Sequence, residues 1–194
     1  LGTESGGDFR RITVSNCVME GLAGERPALG GIALESVDGA NVDGVAVSNI
    51  SMHDVSTPVF MRLGNRGRDL PAPVPGSLRN VVIDNVVATD ASNTCSITGI
   101  PGARIDGVSL SNIRIRFKGG CAFLPDGEAL PELEAAYPDS DMFPALPAYG
   151  MFLRHADNLV LRNVQLLFDD AFWRVTTREE RGVEWPADGG APTP

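Results

Sequence analysis

Apolar and polar positions alternate along most of this chain, in short runs broken by Gly, Asn, Asp and Pro. One run recurs: ITVSNC (Ile12 to Cys17), VAVSNI (Val45 to Ile50), VVIDNV (Val81 to Val86), VSLSNI (Val108 to Ile113) and LVLRNV (Leu159 to Val164). Each reads apolar, any, apolar, polar, Asn, apolar. Period-two alternation is the signature of a strand with one buried face. Strict alternation puts Val45, Val47 and Asn49 on one inward face, with Ala46, Ser48 and Ile50 on the other. The Asn then marks a bend, and stacking of the copies predicts a ladder in which each amide is satisfied by the turn above or below.

A second family of strands precedes most copies: GIALESVDG (from Gly31), PVFMRLGNRG (from Pro58), CSITGIPG (from Cys95) and YGMFLRHAD (from Tyr149). Each passes through a turn into an Asn-bearing strand. Repetition of strand, turn, strand and bend without helical periodicity predicts an all-β chain, a right-handed parallel β-helix in which a fixed unit stacks while its loops vary. A β-sandwich also has short alternating strands, but it gives no reason for an Asn at the same place in every unit. The repeats span residues 1–168. They are interrupted at about 117–148 by a Pro-rich lateral excursion, with a short helix expected from Pro131 to Tyr137. An irregular tail, 169–194, follows. A solenoid commonly places a binding wall on such an excursion.

Composition narrows the function classes. The 194 residues are 43% hydrophobic and 21% charged, which are globular values. The net charge of -9 argues against a nucleic-acid partner, because phosphate contacts need a basic surface. No apolar run is long enough to span a bilayer as a helix. Cys17, Cys95 and Cys121 lack metal-ligand spacing, and no His/Cys cluster suggests a metal or other cofactor. Cys17 stands where other copies carry Ile or Val and reads as a small apolar side chain. Nearly all the cations are Arg, the better residue for holding carboxylates in bidentate fashion.

The blocks LGTESGGDFRRITVSNC, GGIALESVDGANVDGVAVSNI, TPVFMRLGNRGR, SITGIPGARIDGVSLSNIRI and MFPALPAYGMFLRHADNLVLRNV resemble the C-terminal half of bacterial polygalacturonase-like proteins. These belong to glycoside hydrolase family 28, in the pectin-lyase-like superfamily. The resemblance runs from Leu1 to about Phe168. It implies a secreted or periplasmic enzyme that hydrolyses galacturonan-type pectic polymers with inversion, using an acid and a base carboxyl on opposite faces of the sugar. The family's Asp-Asp and Gly-His-Gly motifs do not occur at the matching places. Asp169 and Asp170 adjoin at the wrong end, and Ala33-Leu34-Glu35 occupies the place of the family's Arg-Ile-Lys. The expectation is therefore a portion of a pectin-active hydrolase whose usual catalytic carboxylates lie outside this chain. The alternative is a non-catalytic β-helix for carbohydrate binding or assembly.

Candidate chemistry follows. Glu4 and Glu35 lie on neighbouring first strands and form a possible acid and base pair, against a plain reading as turn caps or ion-pair partners. Arg62, Arg66 and Arg68 in FMRLGNRGR suit a polymer with a carboxylate on every sugar, against pairing with Glu35, Asp38 or Asp69. Asp38 reads as turn chemistry. Arg154 and His155 in FLRHAD are further substrate-contact candidates, as is Tyr149, which with Tyr137 offers a ring for a sugar face. His53 reads as a turn residue. A β-helix that begins in mid-pattern has an uncapped end, which predicts end-to-end self-association.

Overall fold

The computed structural model describes residues 1–22, 27–119, 124 and 129–169. Cys121 and the tail beyond Asp169 lie outside the described residues. Among the described residues there are nine strands and no helix: β1 (Phe9–Glu20), β2 (Ala28–Ser36), β3 (Asn41–His53), β4 (Val55–Leu63), β5 (Ser77–Ala91), β6 (Cys95–Thr98), β7 (Ile105–Phe117), β8 (Met151–Arg154) and β9 (Ala156–Phe168). The odd strands form one five-stranded sheet in the order β1-β3-β5-β7-β9, and the even strands a four-stranded sheet in the order β2-β4-β6-β8. All neighbours pair in parallel. The chain thus visits the two sheets alternately. The five Asn-bearing runs are all in the larger sheet, and the second strand family is the smaller one.

The core lies between the sheets. Ile32 and Leu34 of β2, Met61 and Leu63 of β4 and Ile97 of β6 meet Val47, Ile50, Ile83, Val86, Leu110 and Ile113 from the larger sheet. Parallel sheets need cover on both faces to bury their apolar strands. In β4 every residue from Val55 to Leu63 is buried, Arg62 included.

The Asn residues turn outward, which corrects the inward placement expected from strict alternation. Asn49 is exposed, while Val47 and Ile50 are both in the core, at 4% and 3% exposure. Three residues apart, they would face opposite ways on an uninterrupted strand. Asn49 has φ of 56°, and Asn16, Asn85, Asn112 and Asn163 lie between 51° and 57°. A left-handed residue breaks the pleat, so alternation restarts after it and the next side chain points inward again. Asn tolerates this conformation better than other residues with a Cβ.

The expected ladder exists, and its bonds run from amide to amide. Asn49 Nδ2 donates to Asn16 Oδ1 at 3.0 Å, Asn85 Nδ2 to Asn49 Oδ1 at 2.7 Å and Asn163 Nδ2 to Asn112 Oδ1 at 2.8 Å. Asn112 departs from the pattern, donating to Asp84 Oδ1 at 3.0 Å.

A second left-handed column stands in the same sheet, formed by Arg11, Gly44, Asn80, Gly107 and Asn158, with φ between 53° and 75° and in register across the strands. Its sequence trace is the Asp-Gly of NVDGV and RIDGV and the Asn of LRNV and ADNL. Gly44 and Gly107 occupy this conformation without a Cβ penalty. Arg11 does not.

The excursion covers the outer face of the smaller sheet. Phe143, Leu146, Ala148 and Phe152 form a separate small core, with Leu130, Leu133 and Met142 packed against it. The helix expected from Pro131 to Tyr137 is instead a turn, closed by Ala136 N–H donating to Leu133 O at 3.1 Å. Leu133 sits at φ of 50°, and Pro138 disfavours helical geometry at Tyr137.

Candidate functional site

The smaller sheet carries a row of polar side chains on its outer face. Pairing places Glu35 beside Arg62, Arg62 beside Thr98 and Thr98 beside Arg154. Each follows an inward apolar residue (Leu34, Met61, Ile97, Leu153), so alternation directs all four away from the main core and towards the excursion.

Arg62 is 1% exposed. Its Nη1 donates to Thr98 Oγ1 at 3.3 Å and Gly99 O at 3.1 Å, and its Nη2 to Glu132 O at 2.7 Å and Leu133 O at 3.0 Å. The guanidinium also lies 5.7 Å from the Phe143 ring centroid. Burial, reinforced by the charge of Arg154, pulls its pKa down to about 10. Arg62 therefore clamps the excursion onto the sheet through backbone carbonyls.

Arg154 and His155 hold the same segment by another route. Arg154 Nη2 donates to Glu132 Oε1, Arg154 Nη1 donates to Leu130 O at 3.0 Å, and His155 Nε2 lies 3.1 Å from Glu132 Oε2. His155 takes φ of 50° at the step from β8 to β9. Glu132 carried no sequence signal, because it belongs to the one segment without a repeat. Tyr149 packs at a tilt on Phe168, with centroids 4.8 Å apart, and Phe168 stacks on Phe117 at 5.2 Å.

Glu35 is 8% exposed and accepts a hydrogen bond from Thr3 Oγ1. Burial raises its pKa, with Asp139 adding in that direction and the Thr3 bond opposing it. Asp38, two residues after β2, has the opposite electrostatics. Arg66 Nε and Nη2 donate to its two oxygens at 3.0 and 2.5 Å, and the Arg68 backbone N–H donates at 2.9 Å. The Arg66 guanidinium holds the Asp38 carboxyl below its usual range, against the effect of burial.

Thr3 joins the two carboxyls, since its carbonyl also accepts from Arg66 Nη2 at 3.2 Å. Outside them lies the exposed pair Arg68 and Glu4, with Arg68 Nη1 donating to Glu4 Oε1. Glu4 Oε1 is also 3.9 Å from Arg66 Nη2. The structure thus gathers Glu4, Glu35, Arg66 and Arg68 at one corner. Arg154 and His155 meet at another point of the same cover, with Arg62 beneath it. Among the described residues no group of His, Cys, Asp and Glu could hold a metal ion.

Comparison of the chain with family models, with curated proteins and with solved structures finds no match.

Proposed function

We propose that this chain is a right-handed parallel β-helix of the polygalacturonase-like kind, part of a pectin-active glycoside hydrolase that is secreted or periplasmic. The observation that carries the reading is the corner at the end of β2. Thr3 there links a buried carboxyl whose pKa burial raises (Glu35) to the Arg66–Asp38 pair, and Asp38 in turn holds the backbone of Arg68, whose exposed guanidinium pairs with Glu4. An exposed cation held beside a fixed backbone suits a polymer that carries a carboxylate on every sugar. Arg68 is paired only at the surface, where a uronate carboxylate competes readily with Glu4. The usual acid and base of the family lie outside this chain in this reading, and the present residues bind and orient the polymer.

The test is reducing-sugar release from polygalacturonate and rhamnogalacturonan, with binding measured in parallel, for the chain and a Glu35→Gln variant. Binding without hydrolysis is expected. Hydrolysis abolished by the substitution would place the acid in Glu35 itself, and absence of both binding and hydrolysis would overturn the reading.

A second reading, a non-catalytic β-helix for carbohydrate binding or assembly, is favoured by the engagement of Arg62, Arg66 and Arg154 with partners from their own chain. Binding that extends to uncharged polysaccharides would support it. End-to-end self-association belongs to both readings. Phe9, Ile12, Val14, Cys17 and Met19 of β1 pack on the core but are only partly buried, and a monodisperse monomer in sedimentation would count against it.

A further inference from the structure

Among the described residues, Tyr137 is the one exposed aromatic ring at the charged corner. It is 53% exposed, although the segment that carries it is anchored on both sides. Upstream, Arg62 holds the carbonyls of Glu132 and Leu133. Downstream, Pro138 is buried, and Asp139 N–H donates to Tyr137 O at 3.1 Å. The Arg66 guanidinium lies over the ring, 5.2 Å from its centroid. Arg66 is itself fixed by its two bonds to Asp38, the residue that also accepts the Arg68 backbone N–H.

We propose that Tyr137 is a sugar-stacking platform, a binding subsite for one galacturonate residue whose carboxylate meets Arg68. The inference rests on the galacturonan reading above and adds a position to it. A pyranose ring has a polar rim and an apolar face of C–H groups, and that face packs on an aromatic ring. Arg66 supports one side of Tyr137 by a cation–π contact, and half of the residue's surface stays open. A ring held in place while exposed loses little freedom when a ligand arrives, so more of the contact energy appears as affinity. Core packing does not account for such a ring, since Tyr149 shows what a packed tyrosine looks like here, tilted against Phe168.

The experiment is a titration of the full chain with a galacturonate trimer, read by calorimetry and by the ring resonances of the two tyrosines. The platform predicts that the Tyr137 ring signals shift while those of Tyr149 do not. Tyr137→Phe should bind within about twofold of the parent, and Tyr137→Ala about tenfold more weakly. Binding that leaves the Tyr137 resonances unmoved overturns the platform and spares the galacturonan reading. Failure of the parent chain to bind the trimer overturns both. The resonance measurement needs no destabilising substitution, so a poorly folded Tyr137→Ala leaves the test intact.

Discussion

Glu35 and Arg62 are register partners on β2 and β4, both buried, yet they form no ion pair. Glu35 takes its hydrogen bond from Thr3, and Arg62 turns to Thr98, Gly99 and the carbonyls of the excursion. An acid and a base side by side have been given separate duties, and their substitutions should behave differently.

Replacing Arg62 by Ala empties a buried volume and leaves the carbonyls of Gly99, Glu132 and Leu133 without their donor. The expected loss is roughly 3 kcal/mol or more by urea denaturation. The excursion should loosen before the sheets do, visible as earlier amide exchange at residues 130–148 than in β5 or β7. Uniform exchange would argue that Arg62 is not the clamp.

Glu35→Gln should stabilise the protein at neutral pH by about 1 kcal/mol, because Gln keeps an acceptor for Thr3 without a buried charge. The raised pKa means that the folded state retains a proton which the unfolded state releases near 4.5. The favourable contribution of the neutral acid is complete below that value and is lost as pH rises through the folded pKa. Denaturation midpoints measured across this window should decline in the parent and flatten in the variant.

Asp38 works in the opposite direction. Its lowered pKa gives stability that is present above its ordinary 3.8 and lost as pH falls through the folded value. Asp38→Asn should cost about 2 kcal/mol at pH 7 and remove that acid sensitivity and, on the proposed galacturonan reading, weaken binding of the sugar by releasing Arg66 and Arg68. Unchanged stability would show that Arg66 finds other support.

The left-handed columns separate conformation from hydrogen bonding. Asn49→Ala puts a residue that tolerates the left-handed region less well than Asn at φ near 56° and removes two amide bonds, for an expected loss of about 2 kcal/mol. Asn49→Gly should recover about half of it. At Arg11, where neighbours in the column are Gly or Asn, Arg11→Gly should stabilise by roughly 0.5–1 kcal/mol. Thermal midpoints of the three variants check both statements.

The repeated Asn-bearing run was enough to read the strands, their recurrence and the bend after each core segment. Those properties are local, since alternation, turn residues and tolerance of positive φ are written in consecutive positions. The face on which Asn49 lies was not local in this sense, because one left-handed residue resets the alternation on which the reading depended. The excursion was legible only as an interruption. Glu132, Leu133 and Tyr137 have no repeat to give their place, and their positions are set by contacts with Arg62, Arg154 and Arg66, residues far away in sequence. The residue types alone pointed Arg62, Arg66 and Arg68 towards carboxylates. Burial under the excursion decided that Arg62 grips carbonyls, Arg66 binds Asp38 and Arg68 alone stays at the surface, since each guanidinium takes the acceptors that folding brings within reach and water no longer supplies.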